Sequence, residues 1–226
     1  MSQMEIKEIT KTFKNETVLD GISLSCSGGH IYGITGRNGS GKTVLLKIIC
    51  GLMLPDSGSV CIDGKYVGKD MDFPDSMGIM IENPGFMWFQ SGYSNLSYLA
   101  GIRKKIGKKE IREVIQKVGL DPDSRKRVGK YSLGMKQRLG IAQAIMEDPD
   151  IIILDEPMNG LDEHGVDQMR QLFLELKEQG KLIILASHNK EDIGILCDEV
   201  YHLSGGRLKM ITPGSDKNGG EDDGSV

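Results

Sequence analysis

The segment Gly36-Arg37-Asn38-Gly39-Ser40-Gly41-Lys42-Thr43 narrows the possible folds more than any other part of the chain. An apolar strand pattern, Ile31-Tyr32-Gly33-Ile34-Thr35, precedes it, and a helical pattern with one apolar face follows from Thr43 to Cys50. Strand, glycine-rich loop and helix in this order predict an α/β sheet whose loop lies where such sheets bind ligands. The glycines let backbone N–H groups turn toward one point, and the helix start adds the positive end of its dipole, so the loop suits an anion. The spacing G-x-x-x-x-G-K-[ST] specifies a nucleotide phosphate: Lys42 would reach the β- and γ-phosphates, and Thr43 would offer its hydroxyl to Mg²⁺. Gly36, Arg37, Asn38, Gly39, Ser40, Gly41, Lys42, Thr43 and Val44 are therefore the candidate nucleotide contacts.

A second signal is Ile151-Ile152-Ile153-Leu154-Asp155-Glu156-Pro157, an apolar run that ends abruptly in two carboxylates. Adjacent acids at the end of a buried strand are costly without a partner, and Mg²⁺ carried by nucleotide phosphates is one. Asp155 would hold the ion, directly or through water, while Glu156 would polarise the attacking water as general base. The alternative is that the two acids start a loop or cap the next helix.

Around these signals, short apolar strands alternate with helical patterns, as in a mainly parallel buried sheet. Strands are predicted at Glu5–Ile9, Ile22–Cys26, His30–Thr35, Ser59–Asp63, Gly78–Glu82, Ile151–Leu154, Leu182–Ser187, Glu199–Leu203 and Leu208–Ile211. Helices are predicted at Lys42–Leu52, Lys109–Val118, Leu133–Glu147, Gly165–Gln179 and Asn189–Leu196. Turn signals at Asn15-Glu16, Ser27-Gly28-Gly29 and Asp63-Gly64 join the early strands into a small antiparallel sheet. The strand signal vanishes between Pro84 and Asp148, so residues 84–147 read as a helical subdomain inserted into a core of residues 1–83 and 148–212. Residues 213–226 are too polar and glycine-rich to bury anything and read as a disordered tail.

The chain of 226 residues is long enough for one such domain, and its net charge of −4 provides no basic field for nucleic acid. The scattered Cys26, Cys50, Cys61 and Cys197 match neither a zinc site nor a disulfide scaffold and read as reduced core thiols. No run approaches the ~18 apolar residues of a membrane span, and Met1–Thr10 carries no signal-peptide pattern, so a cytosolic chain is expected.

The segment Tyr131-Ser132-Leu133-Gly134-Met135-Lys136-Gln137-Arg138 resembles the signature motif of the ATPase subunits of ABC transporters, and the likeness covers nearly the whole chain. A phosphate-loop ATPase core, a small antiparallel β subdomain and an inserted helical subdomain are the fold this implies. It also implies ATP and Mg²⁺ as cofactors, a second ATPase subunit, commonly identical, and separate membrane-spanning permease subunits, with no nucleic acid partner. The place of action would then be the inner face of the cell membrane. In the family, Ser132, Leu133, Gly134 and Met135 contact the ATP held by the opposite subunit, and Asp162 in Met158-Asn159-Gly160-Leu161-Asp162 couples the two sites. Leu133 and Met135 depart from the family's usual glycine and glutamine. Ala186-Ser187-His188 resembles the switch histidine that bonds the γ-phosphate. Phe13 lies where an aromatic stacks on adenine; its other reading is a core aromatic of the small sheet.

Glu82 stands where the family usually has a glutamine that touches Mg²⁺ and the catalytic water. A carboxylate there would repel the γ-phosphate, so Glu82 is expected either to be a closer Mg²⁺ partner or to be held back until the dimer closes. The stretch Ile81-Glu82-Asn83-Pro84-Gly85-Phe86, with the signature segment and Asn159-Gly160-Leu161-Asp162, resembles the ATPases of bacitracin- and lantibiotic-type exporters, which confer immunity to antimicrobial peptides. Phe86-Met87-Trp88-Phe89 reads either as core packing or as a groove for a short permease helix. The basic runs Arg103–Lys109 and Arg125–Lys130 lack interleaved aromatics and read as solvated helix faces, with contact to a permease or anionic lipid as the alternative. The rival functional reading is a soluble ABC-type ATPase acting on nucleic acid or protein complexes. A phosphate-loop kinase of small molecules leaves Ser132, Asp162 and His188 unexplained.

Overall fold

In the computed structural model, which describes residues 1–82 and 85–211, two sheets and six helices pack in layers. The larger sheet has the order β10-β9-β3-β8-β7-β6, formed by Arg207–Ile211, Glu199–Ser204, Ile31–Thr35, Leu182–Ala186, Ile151–Asp155 and Met77–Met80. Strands β9, β3, β8, β7 and β6 run parallel, and only β10 is antiparallel to its neighbour. Parallel neighbours need crossover connections rather than hairpins, so the central strands are covered on both faces. Pleating then sorts their side chains: Ile152, Leu154, Ile183 and Leu185 enter one core, while Ile151, Ile153, Leu182, Ile184 and Ala186 enter the other.

The second core lies between the large sheet, helix α1 (Lys42–Ile49) and an antiparallel sheet of order β2-β1-β4-β5. That smaller sheet is made of Glu16–Ser27, Gln3–Phe13, Ser57–Ile62 and Lys65–Tyr66, with Met4, Ile6, Leu19, Leu24 and Val60 turned inward. The first core takes in α4 (Leu133–Ile145), α5 (Glu163–Glu178), α6 (Lys190–Leu196) and the helices α2 (Gly92–Arg103) and α3 (Lys108–Lys117). Helices α2, α3 and α4 all fall between β6 and β7 in the chain, where a helical insertion was expected.

Most predicted elements appear with ends moved by a few residues, but α2 was not among them. Its sequence hides it, because Asn95 is buried and spends its amide on Met87 and Ser91 while Gly92, Ser94, Ser97 and Gly101 blur the apolar stripe. The last strand before the helices also ends early, at Met80, and Glu82 lies beyond it with φ +58. Cys26, Cys50 and Cys197 are buried free thiols, as expected, and Cys61 is half-buried. The predicted tail, 213–226, lies outside the described residues, as do Asn83 and Pro84.

One close approach sets the distance between sheet and helices: a Cβ at Gly78 of β6 would collide with the backbone carbonyl of Ala144 in α4. Gly78→Ala is expected to lower the unfolding free energy by about 3 kcal/mol in urea titration. Gly101→Ala, in open space on α2, should instead raise it by about 0.5–1 kcal/mol.

Candidate active site

The phosphate-loop segment leaves β3 and enters α1 through glycines in conformations other residues avoid, φ +149 at Gly36 and +101 at Gly41. A side chain at Gly41 would meet Val18 Cγ1 at 2.9 Å, and one at Gly36 would meet the Leu203 carbonyl at 2.5 Å. Gly41 is the N-cap of α1 and supplies no side-chain acceptor, so the first-turn amides remain turned toward the loop. Lys42 is buried and curls over the same loop, donating from Nζ to the carbonyls of Gly36 (2.8 Å) and Arg37 (3.4 Å). Ser40 Oγ is buried there without a hydrogen-bond partner among the described residues. Free amides, an ammonium group and an unpartnered hydroxyl form a donor set suited to phosphate oxygens.

Thr43 Oγ1 donates to Asp155 Oδ2 at 2.7 Å, joining the start of α1 to the end of β7. Burial pushes the Asp155 carboxyl above the usual range; the Thr43 hydroxyl and Lys42 pull it down, while the charges of Glu156 and Glu82 push it up further. Next along the chain, Glu156 adopts φ +49, its N–H donates to the Ala186 carbonyl (2.8 Å), and its Oε1 lies 2.8 Å from His188 Nδ1. Thus the ends of β7 and β8 bring Glu156 and His188 together beside Asp155, Thr43 and Lys42. Among the described residues no three His, Cys, Asp or Glu side chains form a metal cage by themselves. A threonine hydroxyl and one buried carboxylate fit the hard cation Mg²⁺, which takes its other ligands from phosphates and water.

The Glu82 carboxylate is engaged by Lys47 Nζ of α1 at 2.7 Å and is largely exposed. Phe13 is exposed rather than packed in the small sheet, with Lys11 Nζ 5.6 Å above its ring. The signature residues stand apart. Ser132 caps α4 by accepting from the Met135 N–H (3.2 Å), and Ser132 and Leu133 are exposed. Among the described residues no hydrogen bond or ion pair joins Ser132, Leu133, Gly134 or Met135 to the phosphate loop. Instead they adjoin the 158–162 turn, where a Cβ on Gly134 would lie 2.7 Å from the Gly160 carbonyl. Asp162 caps α5 through the Gly165 N–H (2.9 Å) and is exposed.

Sequence reasoning assigned no role to Lys47 or Gln137. Gln137 is a buried polar side chain on α4 whose Nε2 donates to the Glu156 carbonyl at 2.7 Å. Its signal was a polar residue four positions after Leu133, on the helix face turned to the core.

A nucleotide-phosphate cradle beside a carboxylate pair on a parallel sheet defines a phosphate-loop ATPase. The ABC transporter family profile matches residues 19–159. An uncharacterized ABC transporter ATP-binding protein, YybJ of Bacillus subtilis, is 46% identical over 206 residues, covering 91% of this chain and 94% of that protein. The bacitracin transport ATP-binding protein BcrA of Enterococcus faecalis is 39% identical over 207 residues, 91% of this chain and 67% of that protein. The fold matches the dimeric post-hydrolysis structure of the ATP-binding cassette MJ0796 bound to ADP and Pi, with TM-score 0.83, 22% identity and coverage of 93% and 98% of the two chains. The chain belongs to the ABC transporter family as an ATP-binding subunit and is an ATPase. Among the described residues no helix is long and apolar enough to cross a membrane.

Proposed function

We propose that the chain closes as a pair of copies over two ATP molecules and so powers a separate permease that exports antimicrobial peptides or drugs. What carries the catalytic part is the convergence of Thr43 on Asp155 and of Glu156 on His188 at neighbouring strand ends. Lys42, Ser40 and the amides of 36–44 bind the phosphates, and Phe13 stacks on the adenine. Thr43 and Asp155 hold Mg²⁺, which supplies charge neutralisation on the phosphates when bound. Glu156 takes the proton of the attacking water, and His188, in contact with that carboxylate, bonds the γ-phosphate. Ser132, Leu133, Gly134 and Met135 of the second copy cover the same phosphate. The exposure of Ser132 and Leu133, with no bond among the described residues to the chain's own loop, supports that division.

The export assignment rests on the 39% identity to bacitracin transport ATP-binding proteins from two organisms. Residues 84–147 are read as the helical arm that meets the permease. A cleft of about 360 Å³ between the Phe86–Trp88 loop and the start of α4, lined also by Val128 and Leu133, is apolar enough for a short permease helix, and Trp88 stands exposed at 69% beside it. The Lys47 pairing favours the second expectation for Glu82, a carboxylate held back until closure.

Glu82→Gln should shift the Mg²⁺ dependence of ATP turnover, because the competing ion pair with Lys47 loses its charge; superimposable Mg²⁺ curves would remove Glu82 from the metal account. Glu156→Gln, affinity-purified from host membranes with ATP, should carry a multi-span protein with it, and only with ATP present. Recovery of soluble partners or nucleic acid instead would leave the ATPase standing and remove the transport role.

A further inference from the structure

Helix α4 is knitted to the loop that follows Glu156 and to the start of α5. Leu133 packs over Gly160, where any added Cβ would lie 2.5 Å from Leu133 Cγ. One turn later Gln137 donates to the Glu156 carbonyl, and Arg138 reaches Asp162 Oδ1 (3.9 Å) and Gln168 Oε1 (2.6 Å). Positions 133 and 137 lie one turn apart on the same side of α4 and Arg138 about 100° further round, so the helix is tied to the 156–168 segment at three points.

The Gln137 contact falls on a peptide of the site in a rarely adopted conformation. Glu156 is held in a left-handed conformation that side-chain-bearing residues rarely adopt, and it persists only where surroundings over-determine it. Three bonds do so: Glu156 N–H to the Ala186 carbonyl, and Asn159 N–H (3.2 Å) and Gln137 Nε2 (2.7 Å) to the Glu156 carbonyl. Two of these are local to the strand ends and turn. Gln137 alone comes from the helical arm, and it is 9% exposed, so water does not replace it at no cost. The same side chain also lines the cleft beside Phe86 and Trp88.

We propose that Gln137 is a positioning residue for hydrolysis: from the signature helix it fixes the Glu156 peptide, aims the carboxylate that His188 meets, and links the cleft to the base. This rests on the reading of Glu156 as the base. A tie that served folding alone would lower stability and leave turnover per folded molecule unchanged, whereas a positioning tie separates binding from rate.

Gln137→Met keeps the volume and removes the donor; Gln137→Glu keeps the shape and turns an acceptor toward the carbonyl. For both, kcat for ATP should fall about tenfold, while KM and the affinity for a fluorescent ATP analogue stay within about twofold. A buried carboxyl takes up a proton above its usual range and then donates, so the ratio of Gln137→Glu to unmodified kcat should climb as pH falls from about 8 to about 6. That ratio decides the matter even if Gln137→Met does not fold. Unmodified kcat in a folded Gln137→Met, or a pH-independent Gln137→Glu ratio, would overturn the inference while a dead Glu156→Gln protein leaves the base assignment intact. Unimpaired turnover by Glu156→Gln would remove that assignment first.

Discussion

Asp155 ends, and Glu156 directly follows, a strand whose other residues are buried, and that placement governs the site. Two negative charges at the edge of a dry sheet demand compensation. The chain supplies part of it through the Thr43 hydroxyl and the charge of Lys42, yet Asp155 remains raised by burial and by its acidic neighbours. The loop opposite presents the reverse imbalance, with free amides, a buried ammonium group and an unpartnered Ser40 hydroxyl. An excess of donors on one side and of carboxylates on the other is the complement of a polyphosphate with its cation. The β3, β7 and β8 strands keep the two sides in register, because their parallel pairing brings Thr35, Asp155 and Ala186 to the same sheet edge.

Much of this was legible in the residues. Glycine spacing in 36–43, the apolar run ending at Asp155 and the Ala186-Ser187-His188 strand end each encode local geometry, so each survives translation into three dimensions. What the sequence concealed was long-range. Lys47 lies on α1, 35 positions from Glu82, and no pattern within either segment announces the pair. Gln137 is read as one polar residue among several on α4 until the buried face is known. Helix α2 escaped for the opposite reason: Asn95 satisfies backbone groups internally, so a buried position carries a polar letter. Phe13, which could have been core, is exposed because β1 turns it to the surface at the strand's last residue.

The signature segment explains why a single copy is an incomplete machine on the proposed reading. Its capping serine and adjoining residues are built by α4 and adjoin the 158–162 turn, and among the described residues no hydrogen bond or ion pair ties them to the chain's own phosphate loop. Leu133, in place of the family's small residue, is held by Gly160, which has φ +74 and space for nothing larger. On the proposed reading, a residue of the interface between copies is thereby packed against the turn leading to Asp162. Closure of two copies would then move signature, turn and catalytic loop as one body.

The central claim, that two copies complete each ATP site, is tested most directly by the mass of the Glu156→Gln protein in solution, measured by light scattering with and without ATP. The account predicts the single-chain mass of 24.8 kDa without nucleotide and twice that value with ATP. A single-chain mass in both conditions, with ATP demonstrably bound, would contradict it.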